Sequence, residues 1–285
     1  MEWINKSNIL IVGLGLMGGS YAKALKRVGY HVMAIDIREE GIKYALENGI
    51  IDEGSACADP ELIGKADAAI FALYPQTFVQ WIKDNQQYFK SGIRITDVTG
   101  VKECIVYDIQ DVLRDDVEFI ASHPMAGREV YGVENSDDRI FNNANFIVTP
   151  TDKNTSEAIE WCSSLGRLLG ARKVSILSPA EHDKMIGYVS QLTHVIAVSL
   201  MTCNDNHKLV DYTGDSFRDL TRIARINDVM WSELFEMNKE VLLGQMDEFI
   251  DEIKSMRDLL AADDVAGMRS RMRTSTERRA WFDVK

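Results

Sequence analysis

The chain has 285 residues, 46% of them hydrophobic and 27% charged, which predicts two domains with a sizeable core and excludes a disordered tail protein. A net charge of −12 would repel a phosphate backbone, so we exclude nucleic acid as the main partner. An anionic ligand must therefore meet a local cluster of basic residues.

Neither export nor membrane insertion is expected. Apolar runs such as 9–13 and 68–73 are far shorter than the roughly 18 residues that a membrane span needs, and the first residues lack the features of a secretory signal. The four cysteines lie at least 41 residues apart and form no paired zinc or redox motif. We therefore expect a cytoplasmic protein with free thiols and no membrane partner.

Short apolar runs alternate with helical patterns through the first half of the chain. The pattern predicts strands at 9–12, 32–35, 68–73, 93–98, 117–121, 145–149 and 172–177. The helical pattern after the first strand ends at Gly29, a residue that commonly terminates helices. This alternation is typical of an α/β fold with a doubly wound, mostly parallel, Rossmann-like sheet.

The second half is predicted to be entirely helical. No proline follows Pro179, and periodic segments cover 180–204, 216–226, 228–260 and 263–282. We therefore place one domain, with the sheet, at 1–178 and a second, all-helical domain at 179–285.

Charge and apolar spacing suggest contacts for these helices. Residues 247–264 carry seven acidic and two basic side chains, whereas 267–285 carry six basic and two acidic ones. The two segments could pair within the chain or across a dimer, or could be independently solvated. Apolar residues recur at spacings of 4, 3 and 4 at Met230, Leu234, Met237 and Val241. We expect a homodimer that buries this face, the alternative being an intrachain bundle.

A glycine-rich turn lies between the first predicted strand and the helix that follows it. Its residues are Gly13, Leu14, Gly15, Leu16, Met17 and Gly18, a G-x-G-x-x-G pattern. Gly13 permits a tight turn, Gly15 lets a pyrophosphate approach the backbone, and Gly18 allows close packing of helix and strand. The N–H groups at the start of the helix attract the anion.

Asp36 lies 18 residues after Gly18, at the end of the second predicted strand. A carboxylate there accepts hydrogen bonds from the ribose hydroxyls of NAD and repels the 2′-phosphate of NADP. We therefore predict NAD as the cofactor, although Arg38 could soften this preference. The alternative, a glycine turn that binds nothing, is disfavoured because strand, helix and acid are all in register.

Other predicted strand ends also carry reactive or polar groups. They are Leu73, Tyr74 and Pro75, the stretch 97–100, and the stretch 122–124. In an open parallel sheet, ligands bind beyond the carboxyl ends of the strands. If the strands share one direction, these groups converge on one crevice, with His123 as the histidine on the nicotinamide side.

Several blocks of the sequence point to a known family. They are GLGLMGGS at 13–20, DVTGVK at 97–102, SHPMAGRE at 122–129, His182–Asp183 with His194, and FRDLTRIA at 217–224. Together they resemble the prephenate/arogenate dehydrogenases of tyrosine biosynthesis. The blocks span most of the chain in the right order, and those at 122–129 and 217–224 are much more specific than the glycine turn.

The resemblance implies an NAD-dependent oxidative decarboxylation of prephenate. Hydride leaves ring C4, which carries a hydroxyl, and the ring carboxylate leaves as carbon dioxide. His123 would draw the hydroxyl proton, a task that suits neutral imidazole near pH 7. The domain at 1–178 would bind NAD, and the domain at 179–285 would bind the substrate and dimerise.

Three other functions remain open. Arogenate, which carries an ammonium, could be the substrate and would give tyrosine directly. A β-hydroxyacid-type dehydrogenase would use a lysine on the first interdomain helix, for which Lys184 is the candidate. A nonenzymatic NAD-binding sensor would need the glycine turn and Asp36 but not His123.

Prephenate carries two carboxylates, so its site must hold anions. Arg218, Arg222 and Arg225 are spaced by 4 and 3 residues, on one face of a predicted helix, and a guanidinium can bind a carboxylate with two hydrogen bonds. The family pattern singles out Arg222 as the ligand of the ring carboxylate, and Asp219 could orient it. The alternative is a solvated basic stripe in which Asp219 forms an intrahelical ion pair.

The resemblance also places His194 against the substrate, with Ser190 on the same helical face. His182 begins the same helix and would lie about 120° from His194 on a straight α-helix, so the two cannot point the same way. Arg128 and Glu129 end the His123 block and could gate or contact the substrate side chain. No metal site is expected from these histidines.

One position departs from the family pattern. Many members have serine where this chain has Gly100, so the hydroxyl that would assist His123 is missing there. Thr99 could supply it from one position earlier. Alternatively the role is vacant at a modest loss in rate, because one hydrogen bond contributes about 0.5–1.5 kcal/mol.

Overall fold

In the computed structural model, which describes residue 3 and residues 7–283, a six-stranded sheet organises the first half of the chain. Its strands are β1 (Asn8–Val12), β2 (His31–Ile35), β3 (Glu53–Ser55), β4 (Ala68–Phe71), β5 (Arg94–Asp97) and β6 (Glu118–Phe119). Their spatial order is β3-β2-β1-β4-β5-β6, and all neighbours are parallel. This is the order of a doubly wound Rossmann sheet, and the predicted fold class is confirmed.

Helices follow most of the strands and cover both faces of the sheet. They are α1 (Leu16–Arg27), α2 (Glu39–Glu47), α3 (Pro60–Lys65), α4 (Pro75–Asn85), α5 (Glu103–Val112) and α6 (Ser156–Leu169). Along β1, Ile9 and Ile11 belong to one buried cluster, whereas Leu10 and Val12 belong to a second. Burial on both faces explains why these strands read as continuous apolar runs.

A second, three-stranded sheet contains the histidine block. Its strands are β7 (Ala121–Pro124), β8 (Asn145–Thr149) and β9 (Lys173–Ile176), with β7 antiparallel and β9 parallel to β8. The strand predicted at 117–121 is therefore divided between two sheets. His123 lies inside β7, opposite Ile147, so its predicted place at a strand end of the main sheet was wrong. Ser122 explains this, because its N–H and hydroxyl donate to Asp97 at 3.0 and 2.9 Å and hold β7 beyond the end of β5.

The second half is helical, as predicted, with different boundaries. Its helices are α7 (Pro179–Ile186), a π-helical stretch (Gly187–Leu192), α8 (Thr193–Thr202), α9 (Asp215–Thr221), α10 (Asp228–Met237), α11 (Lys239–Ala261) and α12 (Val265–Arg279). Short 3₁₀ segments occupy Gln86–Tyr88, Val133–Asn135, Asp138–Phe141, His207–Tyr212, Arg222–Ala224 and Ala280–Phe282. The helix predicted at 228–260 breaks at Asn238, whose side-chain amide donates to the Asp183 carbonyl and to Gln191.

By compactness the chain divides into one unit up to Asn238 and a second from Lys239 onward. Residues 179–238 therefore pack within the unit of the sheet, and this division falls later than the predicted domain boundary at 178. In the first unit Leu234 is buried, and Met230 and Met237 pack against the same core cluster. The core of the chain therefore buries Leu234 and covers part of Met230 and Met237.

In the second unit α11 and α12 pair through opposite charges. The Arg271 guanidinium forms an ion pair with Glu252 and donates to the Ser255 hydroxyl at 2.6 Å. The acidic and basic segments therefore pair within one chain, which was one of the arrangements that their composition suggested.

The helix Pro179–Thr202 is long and apolar enough, by length and composition alone, to cross a membrane. The sequence shows no uninterrupted apolar run there, because polar residues such as His182, Ser190 and His194 divide the helix into shorter runs. Core helices of soluble proteins and signal sequences pass the same test, so the observation is weak evidence for a membrane span.

Candidate active site

A cavity of about 530 Å³ lies at the carboxyl ends of β1, β4 and β5, in the unit that ends at Asn238. Its wall includes these predicted site residues: Gly15, Leu16, Met17, Leu73, Tyr74, Pro75, Thr99, His123, Arg128, Glu129, Ser190 and His194. The predicted residues that lie off the wall are Gly13, Leu14, Gly18, Asp36, Arg38, His182, Asp219 and Arg222. Sheet and helices thus contribute to one cavity, as the sequence predicts.

The glycine turn has the geometry that a dinucleotide needs. Gly13 has φ +91°, and a Cβ there would lie 2.4 Å from the Ala72 carbonyl oxygen. A Cβ at Gly15 would meet nothing within 4 Å, so this backbone faces the open cavity. No side chain caps the start of α1, which leaves its first N–H groups available to an anion.

Asp36 is fixed beside this turn. Its two carboxylate oxygens accept hydrogen bonds from the backbone N–H of Leu14 at 2.5 Å and of Arg38 at 2.8 Å. The Arg38 guanidinium lies 3.5 Å from a Glu134 carboxylate oxygen, so its charge is directed at a carboxylate of the chain. Turn, helix start and acid therefore fit a dinucleotide whose ribose lacks a 2′-phosphate.

His123 is the titratable group that β7 brings to the cavity. Its Nδ1 lies 2.9 Å from His182 Nε2, so its Nε2 is the ring nitrogen left for a ligand. Burial, together with the nearby His182 and Lys102, holds the pKa of His123 well below its usual range. The imidazole is therefore neutral near pH 7 and can accept a proton.

His182 lies behind His123 and is fully buried. Its Nδ1 lies 2.7 Å from Asp183 Oδ1. Asp183 in turn accepts the backbone N–H of Lys102 on Oδ1 and that of Glu103 on Oδ2, each at 2.8 Å. His182, also a candidate substrate contact from the sequence, is off the cavity wall, and the sequence could not indicate that it pairs with His123.

The π-helical stretch Gly187–Leu192 changes the angle between the two histidines of this helix. A π turn holds roughly one residue more than an α turn, so six π residues turn the helix by about 110° less than six α residues. On a straight α-helix His182 and His194 would lie about 120° apart around the helix axis. The smaller turn of the π-helical stretch removes most of this angle. Accordingly His182 bonds to His123 while His194 lines the cavity that His123 also lines.

His194 is held in place from two sides. Its Nδ1 donates to the Ser190 carbonyl at 2.8 Å, and its ring stacks on Trp231 with centroids 3.7 Å apart. Burial lowers the pKa of His194. The neutral ring therefore presents an unprotonated Nε2, which can accept a hydrogen bond from a ligand.

The three arginines of the predicted basic face are not arranged alike. Helix α9 ends at Thr221 and a 3₁₀ turn follows, so the periodicity on which the shared face depends is lost. Arg225 lines the cavity. Arg222, whose side chain is 65% exposed, forms an ion pair with Glu129 at 2.5 Å, and in the part of the chain that the structure describes Asp219 is not its partner.

A buried ion pair lies beneath the loop after β5. Lys102 Nζ lies 2.6 Å from Asp97 Oδ2, and both side chains are inaccessible to solvent. The Thr99 hydroxyl bonds to the same carboxylate and accepts from Lys102 Nζ at 3.1 Å. The alternative that Thr99 replaces the family serine beside His123 is therefore not supported, because its hydroxyl is engaged elsewhere.

Sequence reasoning assigned no role to several residues that complete the site. The blocks quoted above contain Asp97, Lys102 and Asp183, but only the buried contacts of these residues show which neighbouring groups they bind. Trp231 had no signal beyond the apolar pattern of its helix. In residues 3 and 7–283, no group of three His, Cys, Asp or Glu residues could hold a metal ion, and the four cysteines are free.

Comparison with known families finds two adjoining matches. Residues 21–175 match the family described as "Prephenate dehydrogenase, nucleotide-binding domain". Residues 178–274 match the family described as "Prephenate dehydrogenase, dimerization domain". Together the matches cover most of the chain.

Individual relatives agree with these matches. The prephenate dehydrogenase of Bacillus subtilis is 32% identical over 96% of this chain and 76% of its own length. The cyclohexadienyl dehydrogenase of Zymomonas mobilis is 26% identical over 90% of this chain and 89% of its own length. The crystal structure of A. aeolicus prephenate dehydrogenase in complex with hydroxyphenyl propionate and NAD+ superimposes with a TM-score of 0.90 at 30% identity, covering 99% of this chain and 100% of that one.

Proposed function

Because the chain belongs to the prephenate dehydrogenase family, we propose that it catalyses the NAD-dependent oxidative decarboxylation of prephenate to 4-hydroxyphenylpyruvate. One observation carries this proposal: His123, neutral and with Nε2 free, lines the same cavity as the glycine turn and as His194 and Arg225 from the second half of the chain. The A. aeolicus relative was crystallised with NAD+ and hydroxyphenyl propionate, a phenol with a short carboxylate chain like the proposed product.

The residues around the glycine turn would hold the cofactor. The N–H groups at the start of α1 and the backbone of Gly15 suit the pyrophosphate, and Asp36 suits the adenosine ribose. When bound, NAD accepts the hydride that leaves ring C4.

His123 supplies the proton transfer. Its Nε2 takes the proton of the C4 hydroxyl, and the oxygen forms a carbonyl as the hydride departs. The bond from C1 to the ring carboxylate then breaks, and its electron pair makes the ring aromatic as carbon dioxide leaves. The proton held by His123 returns to the oxygen, which gives the phenol.

The charges of the cavity favour an anionic substrate. Arg128 and Arg225 line the wall together with one carboxylate, that of Glu129, and Arg222 is bound to Glu129. We propose that Arg222, directly or after releasing Glu129, binds the ring carboxylate, and that His194, Arg128 and Ser190 contact the substrate. Arogenate is the second candidate substrate, because Glu129 could accept its ammonium.

The remaining proposals concern organisation. We propose an NAD-binding domain at 1–178 and a substrate-binding and dimerisation domain at 179–285, supported by the family matches that divide between 175 and 178. Exposed apolar residues of α11, which are Leu243, Ile250, Ile253 and Leu260, support a homodimer.

We further propose a cytoplasmic enzyme without a nucleic-acid or membrane partner. The net charge of −12 disfavours nucleic acid. The apolar helix Pro179–Thr202 contributes Ile186, Ser190, Gln191 and His194 to the cavity, which supports a role in the active site rather than in a bilayer.

Initial rates with prephenate, arogenate and a 3-hydroxyacid, each with NAD and with NADP, test the proposal. We expect NADH formation with prephenate and a preference for NAD. Turnover of the 3-hydroxyacid alone would favour the hydroxyacid dehydrogenase. Cofactor binding without turnover of any of the three would favour the sensor.

A further inference from the structure

We propose that His182 and Asp183 are positioning residues that keep the ring proton of His123 on Nδ1 and thereby leave Nε2 free to act as the base. We call the hydrogen-bonded chain Asp183–His182–His123 the relay. It extends the proposed function, and its effect on catalysis rests on that proposed function. Neither residue lines the cavity, so both act through His123 and not by touching the substrate.

The hydrogen bonds determine where each proton lies. The Asp183 carboxylate only accepts, so His182 must donate to it from Nδ1 across 2.7 Å. Burial lowers the pKa of His182, and the neutral ring then has an unprotonated Nε2, which can only accept. His123 must therefore donate from Nδ1 across 2.9 Å, and its Nε2 keeps the lone pair. Moving the proton of either ring to its other nitrogen would place two donors or two acceptors opposite each other in one of these contacts.

Asp183 is held as an acceptor by the start of helix α5. The backbone N–H groups of Lys102 and Glu103 donate to its two oxygens, and the positive end of the helix dipole favours the ionised carboxylate. The other charged groups around the relay are Lys102 and Asp97, which pair with each other. The Asp183 carboxylate is thus placed to stabilise the charge on the imidazoles when His123 accepts a proton.

Two variants of the full-length protein test the relay. His182→Leu removes the acceptor for His123, and Asp183→Asn removes the negative charge while keeping an oxygen that can cap α5. Asp59→Asn is the matched control, because Asp59 caps α3 through the N–H groups of Glu61 and Leu62 but does not line the cavity. We expect kcat with prephenate to fall about 10–150-fold in both relay variants, the range for a hydrogen bond to a charged group. KM should stay within about threefold, and the control should retain full kcat.

The tautomer of His123 provides a readout that does not depend on turnover. Side-chain ¹⁵N NMR of the unmodified protein should show His123 protonated on Nδ1, with the signal assigned from its loss in His123→Asn. In His182→Leu the Nδ1 form should no longer be the sole tautomer. A His123 proton on Nε2 in the unmodified protein would overturn the relay, as would relay variants with kcat within threefold of the unmodified protein.

If His182→Leu does not fold, Asp183→Asn and the spectrum of the unmodified protein still decide the question. The two proposals also fail separately. A protein that does not oxidise prephenate but shows the Nδ1 form of His123 would refute the proposed function and support the tautomer assignment.

Discussion

Replacing His123 with asparagine removes the proposed base with little change in shape. The side-chain amide of asparagine places its nitrogen near the position of Nδ1, so it can still donate to His182. No atom remains near the position of Nε2 to take the substrate proton. Loss of a general base lowers kcat by about 10²–10⁴-fold, which equals about 2.7–5.4 kcal/mol of lost transition-state stabilisation. NAD affinity and KM should change little, because the wall residues that would bind both ligands are retained.

The pH dependence gives this prediction a second readout. A protonated imidazole cannot accept a proton, so activity of the unmodified enzyme is present above the pKa of His123 and is lost as the pH falls through it. Burial, assisted by His182 and Lys102, lowers this pKa well below its usual range. The acid limb of kcat/KM should therefore lie below pH 6.5, the ordinary histidine value being about 6.5. In His123→Asn this limb should disappear.

NADH absorbance in the steady state, and in a single turnover that isolates the chemical step, measures both effects. Calorimetric titration with NAD checks that the cofactor still binds. The role of His123 would be refuted by a variant that keeps more than a tenth of kcat, or by residual activity with an unchanged acid limb.

Three further predictions concern the cavity and the turn. Arg222→Ala should raise KM for prephenate about 10–150-fold by removing a charged hydrogen bond, and an unaltered KM would contradict its role. Gly100→Ser should raise kcat by up to about tenfold; a Cβ there would lie 3.4 Å from Leu234, an ordinary contact, and Gly100→Ala, the control, should give no gain. Asp36→Asn should reduce the NAD-over-NADP ratio of kcat/KM, and an unchanged ratio would exclude Asp36 as the selector.

Local signals predicted much of the sheet. The strand predicted at 145–149 agrees with β8, and the glycine turn lies between β1 and α1 as expected. Strand β3 was missed because its three residues, with Gly54 in the middle, form no apolar run. The sequence also did not predict that the strand at 117–121 is divided at Ile120 between two sheets. This division depends on contacts between Ser122 and Asp97, which are far apart in the sequence.

Periodicity predicts which residues are buried but not what buries them. The apolar spacing of Met230, Leu234 and Met237 marks a face of which Leu234 is buried and the two methionines are partly buried, and the core against which they pack belongs to the same chain. The same limit applies to His182, whose role depends on the 2.9 Å contact with His123. Helix periodicity also assumes 3.6 residues per turn, which fails at the π-helical stretch and after Thr221.

The π-helical stretch allows this part of the chain to carry one residue more than a regular helix would need. Deleting one residue between Gly187 and Leu192 would restore regular winding and leave eleven residues from His182 to His194, which differ by only about 20° on an α-helix. His194 would then keep its direction toward the cavity while His182 kept its bond to His123. A deletion at the exposed positions Tyr188 or Val189 should therefore be tolerated, whereas an insertion there would turn His194 away by about 100°.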